Sequence, residues 1–447
     1  MIRRLIGLVA VVFAVAVSAG PPAGAIAPPE VAQDATPPPG SAGPVAPMVQ
    51  RGQCVSTGVL PNTDPRIATP NQLSLNLSEA WQHSRGDGQT VAVIDTGVQP
   101  GPRLPNVEAG GDFVESTDGR TDCDGHGTLV AGLIAGQPGD DGFAGVAPGA
   151  RLIAIRQTSA RFAPRSPGPD PDSARAAVEV ASLARAVVRA ADLGARVINI
   201  SAVTCLAANK TVDQTELGAA LKYAAVQKDA VIVAAAGDIR GGLTVGSTCG
   251  ANSGGWADVT SVSIPSWWQP FVFSVGSVGA SGLPSEFTMA GPWLGIAAPG
   301  EHIVSLSNAP GGELANALPN DRSELFAISG TSFAAAYVSG VAALVRSRFP
   351  DLTAAEVIHR ITATAQGAAR SPSNVVGAGL VDAVAALTWD VTQSPRSDPG
   401  AVRQVAAPPT PPEKDTTARN VAFIGTAVLL SAALVAVGIH RRKESAR

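Results

Sequence analysis

In the stretch Thr90-Val91-Ala92-Val93-Ile94-Asp95, four consecutive apolar residues run up to a carboxylate. A strand with no polar alternation has both faces covered, which is the pattern of a parallel sheet between helix layers. The same pattern returns at Ala150 to Ile155, Val197 to Ile200, Ala230 to Ala235, Phe271 to Val275 and, shorter, Ile303 to Leu306. Helical periodicity falls between these runs, at 173–193, 214–228, 332–348 and Thr353 to Ile361. Strands alternating with helices predict an α/β, doubly wound fold with a mostly parallel central sheet.

The two ends of the 447-residue chain are of another kind. Arg3 and Arg4 precede an apolar run from Leu5 to Val17, followed by small residues. This reads as a secretory signal over 1–25, with cleavage at Ala23-Gly24-Ala25 or Ala25-Ile26-Ala27. Near the other end, Val421 to Ile439 is a second apolar run. Its nineteen residues would span roughly 28 Å as a helix, enough to cross a bilayer. His440-Arg441-Arg442-Lys443 follows, so the positive end is expected in the cytoplasm and the body outside.

The expected organisation is therefore a signal at 1–25, an N-terminal extension at 26–80, a catalytic body at 81–390 and a Pro-rich linker at 391–420. A single transmembrane helix at 421–440 and a short tail at 441–447 complete it. Within the extension, 26–50 is rich in Pro, Ala and Gly and reads as a flexible leader. Residues 157–172, with Arg161, Arg165, four prolines and Gly168, read as a polar surface loop. The net charge of −4 supplies no basic field for nucleic acid.

Four cysteines in an exported chain, Cys54, Cys123, Cys205 and Cys249, suggest two disulfides, with three pairings possible. No metal site or cofactor is expected. Asp122 and Asp124 flank Cys123 and suit solvated turn positions as well as ligands.

The chemistry concentrates at three places. Ser332 follows a tight turn at Gly330 and opens a helix whose apolar positions include Ala335, Val338, Val341, Ala342 and Val345. A hydroxyl there lies among unpaired N–H groups and the positive end of the helix dipole. His126 starts another helix between two glycines, and Asp95 ends the first strand. The order Asp, His, Ser is one of those in which a carboxylate, a base and a nucleophile occur together.

Asp95-Thr96-Gly97, His126-Gly127-Thr128 with Val130-Ala131-Gly132, and Gly330-Thr331-Ser332-Phe333-Ala334 closely resemble the three active-site signatures of subtilisin-like serine proteases. Gly145-Val146-Ala147-Pro148, Ala298-Pro299-Gly300 and Gly379-Leu380-Val381-Asp382-Ala383 extend the resemblance over about 80–388. With the signal, extension, cysteines, linker and terminal apolar run, the whole chain resembles the mycosins, membrane-anchored subtilisin-like proteases of mycobacterial type VII secretion systems. The resemblance implies a subtilisin-like serine endopeptidase with Asp95, His126 and Ser332 as its triad. It implies an extracytoplasmic catalytic domain acting on peptide or protein substrates beside a secretion membrane complex. It also implies the pairings Cys54–Cys123 and Cys205–Cys249, the first pinning the extension to the body. Ser201, Ala202 and Val203, with Ala235, Ala236 and Gly237, would line the substrate cleft, where an extended peptide adds a strand.

One position departs from the subtilisin pattern. Where those enzymes carry an asparagine that holds the oxyanion, this chain has Asp238. An ionised carboxylate would repel the oxyanion. Either Asp238 works protonated, another donor replaces it, or catalysis is weak. The weak-catalysis outcome keeps a rival expectation in play, a structural subunit of the secretion complex built on a protease fold.

Overall fold

The computed structural model describes residues 26–391, apart from 167–168, 241–247, 253, 321 and 368–371. The expected signal, linker and membrane helix lie outside the described residues. Among those that are described, no helix is long and apolar enough to cross a membrane.

Among the described residues the main sheet has nine strands. In chain order they are β1 (Thr90–Asp95), β2 (Val107–Asp112), β3 (Arg151–Arg156), β4 (Val197–Ile200), β5 (Val231–Ala235), β6 (Val272–Val278), β7 (Leu294–Pro299), β8 (Gln366–Gly367) and β9 (Gly379–Leu380). Across the sheet the order is β8-β9-β7-β6-β5-β4-β1-β3-β2. All neighbours are parallel except β8 and β9.

Besides two short helices at Pro70–Ser74 and Leu77–Ala80, the helices among the described residues include α1 (His126–Ala135), α2 (Pro171–Asp192), α3 (Thr215–Lys222), α4 (Thr331–Arg348), α5 (Ala354–Ala363) and α6 (Ala383–Thr388). Their starts follow from local chemistry. Asp170 caps α2 by accepting the Ser173 N–H, with Pro171 in the first turn, where its missing N–H costs nothing. Thr353 and Glu356 form a reciprocal capping box at α5.

Period-two geometry sends alternate β1 residues to opposite faces. Val91 and Val93 join a core with α1, α4, α5 and α6, while Ala92 and Ile94 join another with α2 and α3. This is why the strand is apolar from Val91 to Ile94 without alternation. α4 is buried from Thr331 to Arg346 and is correspondingly apolar all round.

Several local expectations change. β2 and β7 are additional to the expected strands: β2 reads Val-Glu-Ala-Gly-Gly-Asp and presents no apolar run, whereas β7 reads Leu-Gly-Ile-Ala-Ala-Pro, an apolar run interrupted by Gly295. The run at Ile303 to Leu306 contributes only Ser305–Leu306, outside the main sheet, paired with Leu314–Ala315. The helix over 214–228 ends in a π-helical turn at Tyr223–Gln227.

The stretch read as a flexible leader packs on the body. Gly43 N–H donates to the Asp112 carbonyl at 2.8 Å, and Met48–Gln50 pairs antiparallel with Phe162–Pro164. That second strand lies inside the presumed polar loop, where Phe162 is buried against the Arg156 guanidinium, 4.8 Å from the ring centre. Each segment lacks enough apolar pattern to announce a strand, and each supplies the other's hydrogen bonds.

Candidate active site

Asp95 sits at the C-terminal end of β1, where α/β sheets open into crevices between loops. The chain then turns at Gly97, at φ +103°, and a Cβ there would lie 2.0 Å from the Thr121 carbonyl oxygen. Only glycine satisfies both constraints. His126 is the first residue of α1 and Ser332 the second of α4. The two helices pack together in one core, which brings their N-termini to the end of β1.

The result is a continuous hydrogen-bonded chain. Asp95 Oδ1 lies 2.7 Å from His126 Nδ1, and His126 Nε2 lies 2.9 Å from Ser332 Oγ. The three residues are 0, 1 and 2% exposed. Asp95 Oδ1 also accepts the Thr96 N–H at 2.7 Å. The Phe333 ring packs on the imidazole with centroids 5.1 Å apart. Burial by itself would lower the His126 pKa. The charge and hydrogen bond of Asp95, with Asp122 and Asp124 behind it, outweigh burial and raise it above the usual histidine value.

Asp238 follows β5 and is buried beside the start of α4. Its Oδ1 accepts the Thr331 N–H at 3.1 Å and the Thr331 hydroxyl at 2.7 Å. A Cβ at Gly330 would stand 3.2 Å from Asp238 Oδ2 and 3.3 Å from Ser332 Oγ, so both oxygens border one small space. Desolvation pushes the Asp238 carboxyl up to about 6, against the lowering effect of the Thr331 hydrogen bonds and of His126.

The other expected positions are placed as follows. Ser201, Ala202 and Val203 directly follow β4 and are buried. Ser201 Oγ accepts from Asn199 Nδ2 at 2.7 Å, and Asn199 Oδ1 accepts the Ser339 hydroxyl of α4 at 2.8 Å, which ties this segment to the serine helix. Ala235 ends β5, and Ala236 and Gly237 follow. Much of their backbone is already engaged: Ala236 N–H donates to Val275, Gly237 N–H to Thr331 Oγ1, and the Gly237 carbonyl accepts from Met289. The disulfides are Cys54–Cys123 and Cys205–Cys249. The second abuts the segment after β5, since a Cβ on Gly237 would meet Cys249 Sγ at 2.4 Å.

The solvated-turn reading of Asp122 and Asp124 does not hold, because both are buried. The signal missed was Thr128, whose hydroxyl and N–H both donate to Asp122 Oδ2 at 2.6 and 2.8 Å. Asp-x-x-x-x-x-Thr across a helix start is a cap that a sequence reader can test for. Among the described residues no cluster suits a metal ion.

Residues 86–379 match the Subtilase family. Mycosin-3 of Mycobacterium tuberculosis (strain ATCC 25618 / H37Rv) is 59% identical, covering 99% of each chain. The chain is a mycosin, a member of the subtilase family. As such it is a serine endopeptidase of the subtilisin type. A solved structure of MycP3 protease from the type VII (ESX-3) secretion system superimposes with TM-score 0.79 at 70% identity, covering 82% of this chain and all of that one. A chain in the structure of an intact ESX-5 inner membrane complex matches at 44% identity and TM-score 0.78, covering 92% of this mycosin and 99% of that chain.

Proposed function

We propose that this mycosin hydrolyses peptide bonds of exported proteins with Ser332 as nucleophile, His126 as general base and then acid, and Asp95 as the orienting carboxylate. The observation that carries the reading is the buried chain Asp95–His126–Ser332, with links of 2.7 and 2.9 Å. Ser332 Oγ attacks the scissile carbonyl as His126 Nε2 takes its proton. Asp95 holds Nδ1 protonated and stabilises the imidazolium. His126 gives the proton to the leaving amine, and water repeats the sequence on the acyl-enzyme. The oxyanion falls near Gly330, between the N-terminus of α4 and Asp238, and Asp238 helps only as a neutral acid. Ser201 to Val203 and Ala235 to Gly237 flank the peptide.

The same reading places the body on the extracytoplasmic side of a membrane, held by the terminal apolar run and working with a type VII secretion membrane complex. Mycosin relatives seen inside ESX assemblies support that setting. A second reading, a structural subunit with weak proteolysis, draws on the carboxylate at Asp238 beside the nucleophile. Labelling of the full-length chain with a fluorophosphonate probe tests both. Labelling of wild type, lost in Ser332→Ala with folding retained, is expected. A wild-type chain that does not label removes the enzymatic assignment.

A further inference from the structure

Asp122 lies four residues before His126, is 6% exposed, and has no place in the reaction just described. Both of its oxygens are occupied. Oδ1 accepts from the Thr96 hydroxyl at 2.8 Å and from the N–H groups of Asp124 and Gly125 at 3.1 and 2.8 Å. Oδ2 accepts from the Thr128 N–H and hydroxyl at 2.8 and 2.6 Å. The Thr96 hydroxyl in turn accepts the Gly127 N–H at 2.9 Å. One carboxylate therefore grips the residue after Asp95 and, directly or through Thr96, the residues on both sides of His126.

The grip is braced from outside. Asn308 Nδ2 donates to the Asp122 carbonyl at 3.0 Å and to that of Val55 at 2.9 Å. Val55 N–H donates to the Cys123 carbonyl at 2.9 Å, beside the Cys54–Cys123 disulfide. The extension thus closes over the loop that carries Asp122.

We propose that Asp122 is a positioning residue for the general base: its carboxylate sets the Asp95–His126 geometry and adds negative potential behind the imidazolium that forms as Ser332 loses its proton. The proposal rests on the assignment of His126 as base. The charged groups around the imidazole are Asp95 from β1, Asp122 and Asp124 from the loop before α1, and Asp238 from the segment after β5, with Arg161 3.9 Å from Asp124. An asparagine at 122 cannot substitute. Every partner is a donor, and its amide would turn two further N–H groups toward them.

The test uses the full-length chain and the rate at which a fluorophosphonate modifies Ser332, measured against pH and probe concentration. Asp122→Asn should cut the limiting rate by about 10- to 100-fold, the scale of a small misplacement of a catalytic group. The half-saturating probe concentration should hold. Burial pushes the Asp122 carboxyl up to about 6, so it is mainly anionic at neutral pH; there the substitution removes negative charge from near His126, and the acid limb of the profile should move to lower pH. Thr96→Val, which removes the hydroxyl link and keeps the shape, should lower the limiting rate in the same way, and Thr96→Ser should restore most of it. If Asp122→Asn does not fold, the Thr96 pair decides alone. A folded Asp122→Asn with the wild-type rate and profile, or a Thr96→Val indistinguishable from wild type, overturns the proposal. Failure of wild type to label overturns the base assignment itself.

Discussion

Asp238 Oδ1 accepts both the N–H and the hydroxyl of Thr331, the residue immediately before Ser332. The carboxyl holds the start of the Ser332 helix with one oxygen while the other borders the space over Gly330. The two jobs make opposite demands on protonation. A cap works best as an anion, whereas an oxyanion partner must be a neutral donor.

With a carboxyl pKa of about 6, roughly one Asp238 in ten is protonated at pH 7. His126, raised above its usual value, must lose its proton to act as base. The two requirements overlap only in a narrow window, so wild-type turnover should be modest and its optimum acid-shifted. Asp238→Asn donates at any pH and should raise turnover at neutral pH and move the optimum upward. A full donor is typically worth on the order of 10²-fold, which sets the upper end of the gain. The pH profile of peptide turnover per labelled site decides. An unchanged or lower neutral rate would assign the oxyanion to other donors.

Stability should respond to the same substitution. Asp238 has a folded pKa above the ordinary carboxyl value of 3.8, so the folded state holds a proton that the unfolded chain has released. Its contribution is complete below about pH 4 and is lost as pH rises toward 6. Asp238→Asn removes that loss while keeping an oxygen for Thr331. It should stabilise the protein at pH 7 by up to about 2–3 kcal/mol and leave pH 4 little changed. Thermal unfolding of both forms at the two pH values measures it, and an equal gain at both would locate the effect elsewhere.

Gly127 follows the base, and a Cβ there would stand 2.0 Å from the Gly97 carbonyl oxygen and 3.2 Å from the Cβ of Asp95. The Gly97 backbone crowds the position and the Asp95 Cβ stands close by, so a methyl forces one of them to shift. Gly127→Ala should cost about 1–3 kcal/mol and lower the Ser332 labelling rate more than the melting shift explains. Wild-type labelling in this variant would show that the helix start can slide without disturbing Asp95 and His126.

The Cys54–Cys123 disulfide closes a loop of 69 residues. Loop entropy of that size corresponds to about 4 kcal/mol of stabilisation. Replacing both cysteines with serine should lower the melting temperature by several degrees and raise hydrogen exchange at residues 54–58 ahead of the core strands. Uniform loss of protection across β1 and α4 would show that the extension folds as part of the main cooperative unit.

The sequence alone determined the sheet class and singled out the three residues proposed to react, because both rest on local chemistry. Val91 to Ile94 is apolar at every step because helices cover both faces, and Asp95 and His126 stand at the end of a strand and the start of a helix with glycines close by. Ser332 was legible because a serine after Gly-Thr opens a long apolar helix. Tertiary structure decided what depended on distant partners. Met48–Gln50 is a strand only because Phe162–Pro164 completes its ladder, 112 positions away at the Gln50–Phe162 pair. Asp122 became a buried hub because Thr96, 26 residues earlier, and Thr128 converge on it. Asp238 meets Thr331 across 93 residues, and its carboxyl is raised by desolvation that exists only once α4 has packed beside β5. Local pattern encodes which elements form and which groups can react. The dielectric and the hydrogen bonds that set how those groups titrate are properties of the closed core.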